Sequence, residues 1–360
     1  MQLPVPPPVK PMLAKVIDGI PDDGDLIFEP KWDGYRCIVF RDGDEVVLGS
    51  RNERPLTRYF PEMLEPLRSS LPDRCVVDGE LVVVVDDRLD FDALGQRIHP
   101  AQTRVDQLAQ RTPADFVAFD LLALGDEDLR GRPFVERRER LAQALAGARP
   151  PVHLTPGTTD RALALDWFER FEGAGLDGLI LKPGSGPYVE DKRVQFKLKH
   201  VRSADVAVAG FRWHKDGKGV GSLLLGLHDG DGRLQHVGVA SSFSAKRRVE
   251  LIDEVGPLAE GGLTDHPWAE WTDTEAHAEG RMPGAPSRWS GGKAKDASWV
   301  PVRIERVCEV KYATVTAGRF RGVTSFLRWR PDKDPASCTY GQLVEAEVIG
   351  FEAVMASGRP

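Results

Sequence analysis

Four groups of residues in this chain have types and spacings that could do chemistry. The first is Lys31-Trp32-Asp33-Gly34-Tyr35-Arg36, the pattern K-x-D-G-x-R. The apolar run Leu26-Ile27-Phe28 before it reads as a strand end, and Asp33-Gly34 reads as a tight turn made possible by glycine at positive φ. Lys31 is therefore expected on a rigid turn between strands, pointing into a cleft as a nucleophile should. The plainer alternative is a solvated turn lysine. The second group is Asp78-Gly79-Glu80 inside the apolar run Cys75–Val85. Period-two alternation puts Asp78 and Glu80 on one strand face, where burial is costly unless they bind something. The third is Lys182, Lys197 and Lys199, each on or at the end of an apolar strand. Lys197 and Lys199 share a face and call for an anion, with phosphate the obvious one. An edge strand with its lysines in water is the alternative. The fourth is Arg319–Lys333, four arginines interleaved with aromatics before the first acid at Asp332, the composition of a phosphate or nucleic-acid surface.

The elements that must hold these groups follow from hydrophobic patterning. Residues 35–41 and 45–50 alternate around Asp42-Gly43-Asp44 and read as a hairpin. Residues 57–69 carry Phe60, Met63, Leu64 and Leu67 at helical spacing. Strands are expected at 75–85, 114–124, 177–182 and 194–199, with helices at 133–147 and 160–173. After Arg202 the pattern changes to short strands at 204–213 and 221–240, a helix at 244–254, a Gly/Ser/Ala-rich loop at 279–298, and strands at 305–316 and 323–330. Short strands with one helix suggest a small OB-type barrel.

A chain of 360 residues has room for two domains. No apolar run is long enough to span a membrane, and no signal peptide is evident, so no membrane partner is expected. Cys37, Cys75, Cys308 and Cys338 have no zinc spacing, which points to a reduced, cytoplasmic protein without structural zinc. Leu3–Pro8 is proline-rich and reads as an extended arm. The net charge of −7 does not advertise a nucleic-acid binder, so any such binding must rest on local basic faces.

Taken in order, the motifs resemble those of the lysine nucleotidyltransferases, specifically the ATP-dependent DNA ligases of the small two-domain C type found in actinobacteria. Lys31–Arg36 looks like motif I of that family, Ser50-Arg51-Asn52 like motif Ia, and Asp78-Gly79-Glu80 like motif III. Phe119-Asp120-Leu121-Leu122 looks like motif IIIa, Asp177–Lys182 like motif IV, Phe196-Lys197-Leu198-Lys199 like motif V, and Arg330-Pro331-Asp332-Lys333 like motif VI. The resemblance spans nearly the whole chain. It implies an α+β fold: an adenylation (nucleotidyltransferase) domain of antiparallel sheets with helices at 1–202, including the N-terminal arm, then an OB-fold β-barrel domain at 203–360 with a C-terminal extension. One departure stands out. Motif IV usually begins with Glu, and Asp177 has a shorter arm, leaving direct and water-mediated contact with a metal both open.

The resemblance also implies the activity. Lys31 attacks the α-phosphate of ATP and expels pyrophosphate, the AMP passes to the 5′-phosphate of a nick, and the 3′-OH then displaces AMP. The implied catalytic residues are Lys31, Asp33, Arg36 and Lys199. Glu29 would accept from the adenine amino group and Phe119 would stack on the base, with plain core as the alternative for Phe119. Arg36 and Arg51 would grip ribose and the nick phosphate, and Lys199 the α-phosphate. Asp33 would assist the 3′-OH or a metal. Glu80 would contact ribose or metal, and Lys182, Lys197, Arg330 and Lys333 would bind the nucleotide, the last two orienting pyrophosphate as the second domain closes about a hinge near 200–204. An ordinary lysine is mostly protonated at neutral pH, so nearby cations must favour the neutral amine. Mg²⁺ or Mn²⁺ would be held by Glu80 and Asp177 together with phosphate. The expected partners are ATP and nicked double-stranded DNA, with other repair proteins left open and the chain acting as a monomer in DNA repair. No helical DNA-clamping, polymerase or nuclease domain is visible, so encirclement of DNA is expected to be partial or to rest on partners or loops such as 279–298. The alternatives are an mRNA-capping guanylyltransferase or RNA ligase, and a non-catalytic OB-type binding protein. An NAD-dependent ligase is disfavoured because its four-cysteine zinc site is missing.

Overall fold

The computed structural model describes residues 1–22, 24–200, 202–272, 298–313, 315–316, 318–343 and 349–358. The loop expected at 279–298 lies outside the described residues except for Ser298. The chain forms two compact units, Met1–His200 with Glu345–Pro360, and Val201–Val344.

The first unit contains two sheets. One is built on β3 (Tyr35–Asp42), β4 (Glu45–Ser50), β5 (Arg74–Val85) and β6 (Ala114–Leu124), antiparallel in the order β4-β3-β5-β6. Their Val, Ile, Leu and Phe content suits central strands, and β5 lies fully flanked. The other contains β1 (Leu13–Ile17), β2 (Leu26–Pro30), β7 (Gly178–Pro183) and β8 (Arg193–Lys199), in the order β1-β8-β7-β2. β1 runs parallel to β8, although the sequence reading expected antiparallel sheets, and its five-residue LAKVI was not recognised as a strand. Its partner lies some 180 residues away, so local patterning carries no sign of it.

Helix α1 is shorter than the 57–69 expected. Two 3₁₀ turns, Thr57–Tyr59 and Pro61–Met63, precede it, and α1 occupies Leu64–Ser70. Phe60 takes φ −132°, outside the helical region, ahead of Pro61, which disfavours helix at the residue before it. Two helices went unrecognised, α2 (Phe91–Gln96), capped by Asp90 accepting from Ala93 N at 2.8 Å, and α3 (Gln102–Arg111). α4 (Phe134–Ala144) and α5 (Arg161–Arg170) fall within their expected ranges, α5 capped by Asp160.

The N-terminal arm packs rather than extends freely. Leu3, Val5, Val9 and Met12 are buried against Ile38, Phe40, Val76 and Tyr188. Those apolar residues among the prolines pack on strand residues of the first sheet.

In the second unit β9 (Arg202–Trp213), β10 (Val220–His228), β11 (Leu234–Ala240), β12 (Val300–Tyr312) and β13 (Ser325–Trp329) form one sheet ordered β11-β10-β9-β12-β13. A bridge between Ala240 and Thr324 joins its two ends and closes the barrel. α6 (Ala245–Val255), capped by Ser244, buries Leu251 and Val255 in the barrel core. The final helix, α7 (Phe351–Ala356), belongs to the first unit, although the sequence reading grouped everything from 203 with the second. Phe351 and Val354 are buried with Trp32, Trp167 and Phe171, a contact that sequence position alone cannot reveal.

Candidate active site

Lys31 lies on the connection by which the chain leaves one sheet and enters the other. Its amide donates to Gly178 O at 2.8 Å, and Asp177 N donates to Lys31 O at 3.2 Å, so the β2–β7 ladder continues past the strand end. That pairing sets the Asp177 carboxylate opposite the lysine amine. Lys31 Nζ stands 2.8 Å from Asp177 Oδ2, and Lys199 Nζ donates to the same oxygen at 2.6 Å. Gly178 adopts φ +130° and brings its backbone against Leu198 O, where a Cβ would approach to 2.1 Å. Gly34 does not use positive φ as the sequence suggested. It is needed because β5 runs directly against it, and a Cβ would meet Leu81 O at 2.2 Å. Glu80 packs on the same turn, its Cγ 2.9 Å from where that Cβ would lie, so the lysine turn and β5 are in direct contact.

Lys31 and Arg36 line a cavity of about 270 Å³ together with Glu29, Arg51, Glu80 and Phe119. Lys182, Lys197 and Lys199 complete its basic side. Nine of the residues singled out from sequence thus converge on one site, close to the size range of small-ligand pockets. Asp33 sits half-buried in the turn outside this lining, and Asp177 reaches the site through Lys31 and Lys199. Arg330 and Lys333 lie in the second unit. There Arg330 donates from Nη1 to both oxygens of Asp205 at 2.9 Å and also pairs with Asp332, and Lys333 lies 3.7 Å from Asp205.

Several buried charges find partners inside the protein where the sequence suggested a ligand. Arg36 forks onto Asp78, which also accepts from Tyr188 Oη at 2.7 Å. Burial opposes the Arg36 charge, but Asp78 overrides it and holds the guanidinium firmly protonated. Lys182, 3% exposed, pairs with Glu29 Oε2 at 2.7 Å and donates to Phe119 O at 2.9 Å. Burial pushes the Lys182 ammonium down, and Glu29 only partly opposes this. For Lys199 the anion is Asp177. Burial alone would raise Asp177, but Lys31 and Lys199 together hold it below the usual carboxylate range. Lys197 is lowered by burial and then by the neighbouring Lys199 and Lys31. Glu80 is pushed up to about 7 by burial, with Arg36 and Lys31 opposing.

The Phe119 ring sits where β6 bulges: Asp78 pairs with Asp120 and Gly79 with Ala118, leaving Phe119 without a partner on β5. Bulges of this kind re-aim a side chain. The ring turns into the cavity, with the Arg36 guanidinium 4.4 Å and the Lys182 ammonium 4.7 Å from its centroid. The ring is buried and also lines the cavity.

The Arg319–Lys333 stretch divides differently from its composition. Phe320, Phe326 and Trp329 pack on the barrel core; Phe326 and Trp329 are three residues apart, and the bulge that skips Leu327 between them lets both face inward. Arg328 pairs with Glu309 at 2.7 Å and Arg330 with Asp205, while Arg319 is exposed and has no ion pair among the described residues.

Two supporting residues escaped the sequence reading, Arg138 and Thr155. Arg138 Nη1 reaches Glu29 Oε1 at 2.5 Å, and Thr155 Oγ1 accepts from Trp32 Nε1 at 2.8 Å. A signal for Arg138 did exist: it falls four residues after Phe134 and three before Leu141, on the apolar stripe of α4.

The family model for the ATP-dependent DNA ligase domain matches residues 11–199, and that for the ATP-dependent DNA ligase C-terminal region matches 216–333. The chain belongs to the ATP-dependent DNA ligases. It is 56% identical over 363 aligned residues to DNA ligase C of Mycobacterium tuberculosis, covering 99% of each chain. To DNA ligase C2 of Mycolicibacterium smegmatis it is 54% identical over 345 residues, covering 95% of this chain and 96% of that one. A solved Lig E DNA ligase, described as binding DNA with a minimal scaffold, shares the fold at a TM-score of 0.55 and 19% identity, covering 89% of this chain and 99% of that one. The ligase is thus an adenylation domain followed by an OB-fold domain, and the DNA ligase reading prevails over the capping-type and non-catalytic alternatives. Among the described residues no helix is long and apolar enough to cross a membrane.

Divalent metal is a general requirement of the family. Among the described residues no cluster of three or more His, Cys, Asp or Glu is present. Mg²⁺ needs fewer protein ligands than that, since it is usually held by one or two carboxylates plus substrate phosphates. Glu80, which lines the cavity with Lys31, and Asp177, 2.8 Å from the Lys31 amine, are hard oxygen donors of this kind, so the donor chemistry fits.

Proposed function

We propose that this ATP-dependent DNA ligase forms its covalent intermediate on Lys31. The observation that carries the reading is the Lys31 amine in the lining of one cavity together with Glu29, Phe119, Lys182, Lys197 and Lys199, with Asp177 2.8 Å from the amine. Base recognition belongs to Glu29 and Phe119, and the cationic rim belongs to the phosphates. Attack requires the neutral amine, and the proton that must leave already points at Asp177. As the Lys31 nitrogen bonds to the α-phosphorus, the bond to pyrophosphate breaks, and Lys197 and Lys199 offset the charge gathering on the phosphoryl oxygens. Arg36 is fixed by Asp78 and so presents a set of donors that need not reorganise. Arg51, exposed at the rim, is assigned to the nick 5′-phosphate, and Asp33 to the 3′-OH. Arg330 and Lys333, steadied by Asp205, are assigned to the leaving pyrophosphate. Bound Mg²⁺, held by Glu80 and Asp177, would supply charge neutralisation at the phosphates.

The substrate in this reading is nicked double-stranded DNA, and the enzyme works as a monomer in the cytoplasm, in DNA repair. Its four cysteines are all free and buried, as suits a reducing compartment. The test is sealing of a duplex carrying one 5′-phosphate/3′-OH nick, with ATP and Mg²⁺. The natural chain is expected to seal it and Lys31→Ala to fail while keeping its circular dichroism spectrum. Sealing by Lys31→Ala would refute the assignment.

A further inference from the structure

Behind the cavity, one arginine ties the base side of the site to the lysine turn. Arg138 projects from α4 and is not part of the cavity lining. Its Nη1 donates to Glu29 Oε1 at 2.5 Å, and its Nη2 donates to Thr155 O at 3.0 Å. Thr155 in turn accepts from the Trp32 indole, next to Lys31, at 2.8 Å. The other Glu29 oxygen is held by Lys182 at 2.7 Å, and Lys182 also donates to Phe119 O at 2.9 Å. The Glu29 carboxylate is therefore gripped once on each oxygen, and at 2% exposure it has no water to rearrange into. The guanidinium packs directly on Gly157, where a Cβ would lie 2.2 Å from Nη2, so this position leaves room for the arginine only as glycine. Two cations hold the one buried carboxylate, one on each oxygen. A planar fork fixes orientation in a way a single ammonium does not.

We propose that Arg138 is a positioning residue for nucleotide specificity: it aims Glu29 so that a remaining lone pair meets the 6-amino group of the base. This rests on the assignment of Glu29 as the base acceptor. A rigid, buried acceptor rejects a base lacking the matching donor, because the acceptor is left unpaired. A movable acceptor discriminates less.

The experiment follows lysine nucleotidylation by intact mass on the full chain, with ATP and with purine riboside triphosphate, which lacks the 6-amino group. The natural enzyme is expected to favour ATP in kcat/KM. In Arg138→Met the ratio is expected to fall by about tenfold or more, with most of the loss in KM for ATP and little change for the analogue. Arg138→Lys keeps the charge but loses the fork and is expected to fall by a smaller factor. It supplies the same reading if the methionine variant does not fold. A natural enzyme that treats both nucleotides alike would overturn the assignment of Glu29 and this inference with it. A natural enzyme that discriminates, with an unchanged ratio in a folded Arg138 variant, would overturn the role of Arg138 alone and leave it a structural ion pair.

Discussion

Asp177 shows how much one side chain decides in this site. It stands where the family usually carries Glu, and both Lys31 and Lys199 share its Oδ2. Asp177→Asn removes the acceptor for the Lys31 proton and the counter-charge for Lys199. Single-turnover formation of the AMP–protein adduct is expected to slow by about a hundredfold, with Asp177→Glu retaining most of the rate. An unchanged rate in Asp177→Asn would remove the residue from the mechanism. A second residue-scale expectation concerns His236, whose ring packs against Trp268 in the barrel unit. Burial, with Arg319 and Arg212 adding to it, pushes His236 down to about 3. Unfolded, it takes up a proton near pH 6.5, while folded it resists until about 3. The unfolded chain therefore binds more protons across that window, and stability falls as pH drops from 6.5 towards 3. Urea midpoints measured between pH 7 and 5 are expected to fall with pH, and His236→Gln to flatten the trend. At this scale the sequence was most legible where chemistry needs a fixed local spacing, as in Lys31–Arg36. It was least legible where a charge is answered from far along the chain, as Glu29 is by Arg138, 109 residues away.

Element-scale features explain why those residues meet. Most strands could be read from alternation or apolar runs, but the bulge at Phe119 could not, because it arises from β5 and β6 falling out of step. The same holds for β1, whose sequence has no strand signature until β8 lies beside it. The return of α7 to the first unit is another relation between distant segments. Phe351 packs edge-on against Trp32, with centroids 5.8 Å apart, and its amide donates to Asp87 O at 2.7 Å. Phe351→Ala is expected to cost about 3–5 kcal/mol by leaving a cavity against Trp32 and Trp167. A thermal unfolding scan should show the midpoint lowered by several degrees. An unchanged midpoint would mean that α7 does not support the first unit.

The whole molecule carries a net charge of −7 and yet acts on a polyanion. Overall attraction cannot supply its DNA binding, which must rest on local basic faces. Affinity for a nicked duplex is expected to fall log-linearly with salt, with a slope near −0.9 for each phosphate neutralised. A titration from 50 to 200 mM salt that left affinity unchanged would speak against phosphate contacts. The division into two units could be anticipated from the change in strand pattern after Arg202, and the order of motifs along the chain pointed to the family. What composition could not convey is how many of the basic residues are already paired: Arg328 with Glu309, Arg330 with Asp205, Lys182 with Glu29.

The assignment of Lys31 as nucleophile can be read directly by intact-mass spectrometry of the full chain after incubation with ATP and Mg²⁺. An added AMP that maps to Lys31, is lost on adding pyrophosphate, and is missing from Lys31→Ala is the outcome expected here. A chain whose mass stays unmodified, or an adduct on another residue, would contradict it.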